Sequence, residues 1–127
     1  MAKWVHSNVR DNGLNAIKTN CTHMLLIKAY NIGDSCATVM SNMVADVTMV
    51  SGDYTLSSSA SNRVLTTASG KSVNATNGSG ISPDLHFAFT DGSSTVYWVT
   101  DETSNQVVTA GNPVNFPQLT YTANQPT

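Results

Sequence analysis

The sequence predicts a mainly β protein, a single-domain antiparallel β-sandwich or barrel with a short N-terminal helix. Three observations carry this. Leu85, Phe87 and Phe89 alternate with His86, Ala88 and Thr90, and Thr95, Tyr97 and Val99 alternate with Val96, Trp98 and Thr100, the period-two pattern of strands with one buried face. From Asp46 onward, clusters of Gly, Asn, Asp and Ser punctuate short apolar runs, as in a chain of strands and turns. At 127 residues the chain is one domain, able to bury about two thirds of its unfolded surface without disulfides or metal. Residues 1–22 form an N-terminal arm and helix within that domain, and residues 23–127 form its β-rich body.

Ser7, Asp11 or Asn12 is placed to cap a helix of about three turns that carries Leu14, Ile17 and Cys21 on one apolar stripe. Trp4 and Val5 fall just outside it, available to pack back or to reach a neighbour. Residues 23–30 form a strand that is apolar on both faces from Met24 to Ile27, which predicts a central position covered on both sides. After a turn at residues 31–34, the spacing of Cys36, Val39, Met40, Met43 and Val44 predicts a helical face over residues 35–44. Methionine adapts to irregular surfaces, so Met40 and Met43 are candidates for a partner contact as well as for core.

Val47 and Met49 mark a strand, Ser51-Gly52-Asp53 a turn, and Tyr54 and Leu56 the next strand. A serine-rich loop, residues 57–62, precedes a strand at 63–67. Residues 71–84 read as an exposed loop around a weak strand at Val73 and Ala75, with Asn77-Gly78 as a tight turn. The hairpin over residues 85–100 is the core. Pairing it across Asp91-Gly92 or a four-residue loop sets Val96 and Trp98 opposite Leu85, Phe87 and Phe89. Residues 101–105 turn into a strand at 106–110. A last strand follows through Val114, Phe116, Leu119 and Tyr121, confined by Pro117 to an edge or a bulge, and residues 123–127 are a polar tail.

Only 11% of residues are charged, the net charge is −2, and Ser, Thr and Asn make up roughly a third of the chain. Such a surface has little long-range field, which argues against nucleic acid or an acidic membrane as partner. No apolar run reaches the roughly 18 residues of a membrane span, and no leader segment is expected. Cys21 and Cys36 are expected as free thiols, since two cysteines make no disulfide framework.

Catalytic chemistry is thinly represented. Glu102 is the only glutamate and sits beside Asp101, so on a strand the two carboxylates would face opposite ways. His6, His23 and His86 fall in different elements without the spacing of a zinc motif, and no nucleophile elbow or phosphate loop occurs. The expectation is a protein that is not an enzyme and has no cofactor and no metal. Trp4, Tyr30, Tyr54, Tyr97, Trp98 and Tyr121 are candidates for stacking on sugars, although a β domain also spends aromatics on its core.

The order of motifs along nearly the whole chain resembles a family of small virion proteins of tailed bacteriophages. The resemblance is carried by Met1-Ala2-Lys3-Trp4, then Asp11-Asn12-Gly13-Leu14-Asn15-Ala16-Ile17, Ala45-Asp46-Val47-Thr48, Asp53-Tyr54-Thr55, Leu85-His86-Phe87-Ala88, residues 107–111, Phe116-Pro117 and Leu119. Residues 35–43 depart from the family pattern, which has a Pro- and Thr-rich loop there. The resemblance implies a capsid decoration, or cement, protein on the exterior of the virion. It would bind the major capsid protein and brace capsomers, as a homotrimer. The alternative is a neck- or tail-associated module that binds a receptor or glycan. Trp4 and Val5, with Met40 and Met43, are the expected partner contacts, because they offer apolar groups outside the main β pattern.

Overall fold

The computed structural model describes residues 3–102 and 104–125. Met1 and Ala2 of the opening motif, Thr103 of the expected 101–105 turn, and Pro126 and Thr127 of the polar tail lie outside the described residues. The first element, α1 (Ser7–Asn20), buries Leu14 and Ile17, and the buried Cys21 follows as its C-terminal cap, so the expected stripe is the packing face. Its start differs from expectation. The N-cap is His6, whose Nδ1 accepts the Asn8 N–H at 3.0 Å, and Asp11 is drawn away to Arg63, whose Nε donates to it at 2.7 Å.

A four-stranded antiparallel sheet in the order β2-β1-β6-β7 forms the larger layer, from β1 (His23–Ile27), β2 (Met43–Thr48), β6 (His86–Thr90) and β7 (Val96–Asp101). The central place predicted for β1 is observed, though the strand ends at Ile27. A register shift there hands the Lys28 N–H to the Asn42 carbonyl, and the chain leaves the sheet. The opposing layer holds a three-stranded sheet of β3 (Tyr54–Ser59), β4 (Asn62–Thr67) and β9 (Thr120–Ala123), and a two-stranded ladder of β5 (Lys71–Asn74) with β8 (Pro113–Phe116). All pairings are antiparallel. The mainly β, sandwich-like architecture predicted from the sequence is therefore what forms.

The main core lies between these layers. Met24, Leu26, Phe87 and Phe89 come from the larger sheet, Tyr54 and Leu65 from the three-stranded sheet, Val114 and Phe116 from the ladder, and Leu14 and Ile17 from α1. Aromatic rings tie the layers together. Phe87 meets Phe116 at 5.7 Å, Phe89 meets Tyr54 at 6.3 Å, and Trp98 stacks on Phe89 at 4.5 Å while its edge meets Tyr121 at 5.5 Å. Rings at these spacings add about 0.5–1.5 kcal/mol per pair beyond area burial.

Five local expectations are corrected. The helix predicted over residues 35–44 is only α2 (Cys36–Ser41), and Met43 and Val44 belong to β2. Helical and strand spacing both place Met43 and Val44 on apolar surfaces here, because adjacent strand residues face the two buried sides of a covered sheet. Backbone pairing with β1 decides between them. The serines at 57–59 are not a loop but pair with Val64, Arg63 and Asn62, so the turn shrinks to Ala60 and Ser61. The 106–110 strand does not form, and the single strand expected through Val114 and Tyr121 is split at Pro117 into β8 and β9, which join different sheets. In the core hairpin, Trp98 faces the Leu85, Phe87, Phe89 row as expected, but its partner is Phe89, which neither expected turn length gives, and Val96 pairs with Thr90, leaving Tyr97 as an extra residue. One inserted residue reverses the facing of those before it, so Val96 joins Val99 on the outer face and Tyr97 packs against the main core.

Candidate interaction surface

The N-terminal arm is fixed by backbone rather than by apolar packing. The Val5 N–H donates to Gln125 Oε1 and Gln125 Nε2 donates back to the Val5 carbonyl, each at 3.0 Å. The Gln125 N–H in turn donates to Asn62 Oδ1 at 2.9 Å, so the arm is pinned to the end of β9 and the start of β4. Val5 is half-buried, and its backbone N–H and carbonyl are the anchoring groups. Trp4, one residue earlier, is 69% exposed, with the His6 ring edge-on at 5.6 Å. A large indole held out beside a fixed backbone gives up side-chain rotamer freedom on contact but little backbone freedom.

Met40 and Met43 sit elsewhere. The outer face of the larger sheet carries a second cluster, Leu25, Ile27 and Ala88 beneath Val39 of α2, with Met40, Met43, Tyr30, Val96 and Val99 half-buried around it. Ser35 Oγ caps α2 by accepting the Thr38 N–H at 3.2 Å, which sets Val39 over the sheet. Both methionines therefore serve as packing around α2 and remain partly open to solvent. Ile32, in the turn before α2, is 99% exposed beside this face in sequence. The arm belongs to the layer of β4 and β9 and the methionines to the outside of the opposite layer. The structure does not gather the expected contacts into one patch.

Of the residues weighed for catalysis, His6, His23 and Glu102 are dispersed, whereas His86 and Asp101 meet across the β6–β7 pair, Nε2 to Oδ1 at 3.6 Å. His6 caps α1. His23 Nδ1 donates to both oxygens of Asp46, at 2.9 and 3.0 Å, and its Nε2 faces Gly92. His86 lies at the other end of the same sheet, and Glu102 Oε1 accepts the Ser104 N–H at 3.1 Å. Asp91 is held well below the ordinary carboxylate range by the Ser94 hydroxyl and by the backbone N–H groups of Ser94, Thr95 and Ser93, a loop-closing role at the tip of the core hairpin. Burial pushes the Cys21 thiol up to about 12, with the Asp91 charge adding to it, and Cys21 and Cys36 are both buried free thiols.

Two features escaped sequence reasoning. A groove of about 370 Å³ runs between α1 and the β7–β9 side, bordered by Arg10, Gly13, Tyr97 and Tyr121. Only the bulge brings Tyr97 there, and no residue pattern announces a bulge. Ser79 is buried in the 75–84 segment, where its N–H donates to the Val108 carbonyl and its Oγ accepts the Val108 N–H, fastening two loops that expose Ile81 and Val107. Of the six aromatics considered for sugar stacking, Tyr54 is fully buried in the core, with its hydroxyl donating to the Cys21 carbonyl at 2.8 Å. Among the described residues no helix is long and apolar enough to cross a membrane. No protein family, curated protein or solved structure matches the chain.

Proposed function

We propose that this protein is a structural component of a bacteriophage virion, a capsid decoration protein that binds the outer head surface and stabilises capsomer contacts. The resemblance of its motif order to small phage virion proteins supports this, and the observation that carries the contact assignment is Trp4, exposed on a backbone pinned by Val5 and Gln125. The partner is the major capsid protein, and the protein acts as a homotrimer on the exterior of the particle without enzymatic chemistry. A weakly charged surface suits this role, because attachment then depends on shape and apolar contact more than on ionic strength.

The test is a cryo-electron microscopy reconstruction of particles carrying the wild-type chain or Trp4→Ala. Hundreds of wild-type copies bridging capsomers support the reading. Loss of a buried aromatic anchor costs about 2 kcal/mol or more, roughly thirtyfold in affinity, so Trp4→Ala is expected to leave the fold intact and the head sparsely occupied. Equal occupancy by that variant overturns the contact assignment, and a few copies at the neck or tail overturn the decoration role.

The groove bordered by Arg10, Tyr97 and Tyr121 favours a second reading, a receptor- or glycan-binding virion module. Two tyrosines and a guanidinium provide stacking faces and donors for a sugar. Saturable binding on a glycan array that Tyr121→Ala abolishes supports it, and no response to any host-surface sugar removes it.

A further inference from the structure

At the end of the larger sheet where β6 begins and β7 finishes, three side chains converge that neither reading above uses. His86 and Asp101 are cross-strand partners, and Asp84 lies two residues before His86 on the approach to β6. One ligand-capable atom from each lies within 4.8 Å of the other two. We infer that Asp84, His86 and Asp101 form a binding site for one divalent transition-metal ion of the zinc class.

The protonation of His86 follows from its neighbours. Its Nδ1 is 3.0 Å from the Asp84 carbonyl oxygen, which can only accept, so Nδ1 carries the hydrogen. In the neutral ring Nε2 then presents its lone pair, and it does so toward Asp101 Oδ1. One ring nitrogen donating to a backbone carbonyl while the other is left bare is the arrangement that orients a metal-binding imidazole. The Nε2 to Oδ1 distance is 3.6 Å, too long for a good hydrogen bond. It is close to the roughly 3.4 Å that separates two ligands of a tetrahedral ion with bonds of about 2.0–2.2 Å.

The other histidine–aspartate pair makes the contrast. His23 and Asp46 close a direct pair at 2.9 and 3.0 Å, with the second ring nitrogen facing Gly92, and among the described residues no third ligand-capable side chain joins them. At His86 the ring is steadied by Tyr30, 5.8 Å away, while the Asp101 side chain is 57% exposed and Asp84 is open to solvent. An ion can therefore enter from water and keep water in its remaining position. One imidazole with two carboxylates suits Zn²⁺ and its first-row neighbours, whereas Ca²⁺ and Mg²⁺ call for oxygen ligands throughout.

The inference is independent of the virion reading and is tested on the full-length chain by isothermal titration with zinc chloride at about pH 7.5, after chelator treatment and dialysis. The expected result is one saturable site per chain, weakened about tenfold or more by His86→Gln and by Asp101→Asn and unaffected by His23→Gln. Mg²⁺ at the same concentration is expected neither to bind nor to compete. Because Asp101 is largely exposed at a strand end, Asp101→Asn remains decisive if His86→Gln fails to fold. Absence of saturable binding by the wild-type chain, or undiminished binding by Asp101→Asn, overturns the site.

Discussion

Gly92→Ala is expected to destabilise the protein through a residue it never bonds. Gly92 has φ +84°, and a Cβ built on it would stand 2.5 Å from His23 Nε2 and 2.6 Å from His23 Cδ2. An L-residue in the left-handed region costs about 1–2 kcal/mol. The imidazole must also move, and it is held by its Nδ1–H between the two oxygens of Asp46, a charge-assisted bond worth about 1.5–3 kcal/mol. The two losses together predict about 2.5–5 kcal/mol. Urea denaturation of four chains separates them: wild type, Gly92→Ala, His23→Ala and the double variant. With His23 already removed, Gly92→Ala should cost only the backbone share of about 1–2 kcal/mol, leaving a coupling energy of at least about 1 kcal/mol. If Gly92→Ala costs the same in both backgrounds, the imidazole contact has no energetic role and the reasoning fails.

Tyr54→Phe strips the Cys21 carbonyl of its buried donor and is expected to cost about 1–3 kcal/mol in the same assay, whereas unchanged stability would mean that water reaches that carbonyl. Alkaline pH should weaken the fold. The Cys21 thiol, ordinarily near 9.0, is raised to about 12 by burial and by Asp91, and the Tyr54 hydroxyl is raised above its ordinary 10.0 by burial and by the Cys21 and Asp53 charges. The unfolded chain ionises first, so stability is fully present below about pH 9 and declines as pH rises toward the folded values. A flat denaturation midpoint between about pH 8 and 11 would contradict this. Native protein should leave both thiols untouched by Ellman's reagent at about pH 8, with both reacting in denaturant, since ionised thiol is the reactive form. Rapid reaction of Cys21 in the native state would refute its burial.

What the sequence revealed depended on whether side-chain period or backbone pairing decided the outcome. The Leu85, Phe87, Phe89 alternation and the Leu14, Ile17, Cys21 stripe were legible because burial of one face is all that either element requires. Met43 and Val44 were not, since their spacing satisfies a helix and a covered strand equally and β1 supplies the deciding hydrogen bonds. Ser57, Ser58 and Ser59 read as loop because nothing in them asks for burial, yet backbone pairing to β4 holds them in a strand. The same limit applies to the candidate functional residues. Trp4 could be singled out as an apolar group outside the pattern, whereas the Asp84, His86 and Asp101 cluster depends on the β6–β7 register, which a bulge shifts by one residue. The backbone of Val5 also serves as a tether, which the sequence could not show because its bonds run to a residue 120 positions away.

That bulge also governs how the molecules behave when crowded. β7 is one of the two edge strands of the larger sheet, and its outer row of amide and carbonyl groups resembles an unfinished page to which another strand can bind. The extra residue at Tyr97 breaks the regular spacing of that row and twists the strand locally, so a second strand laid against it cannot keep in step along its length. A protein whose surface carries few charges to keep its copies apart thus gains, from one inserted residue, a guard at this edge against joining sheet to sheet into fibres.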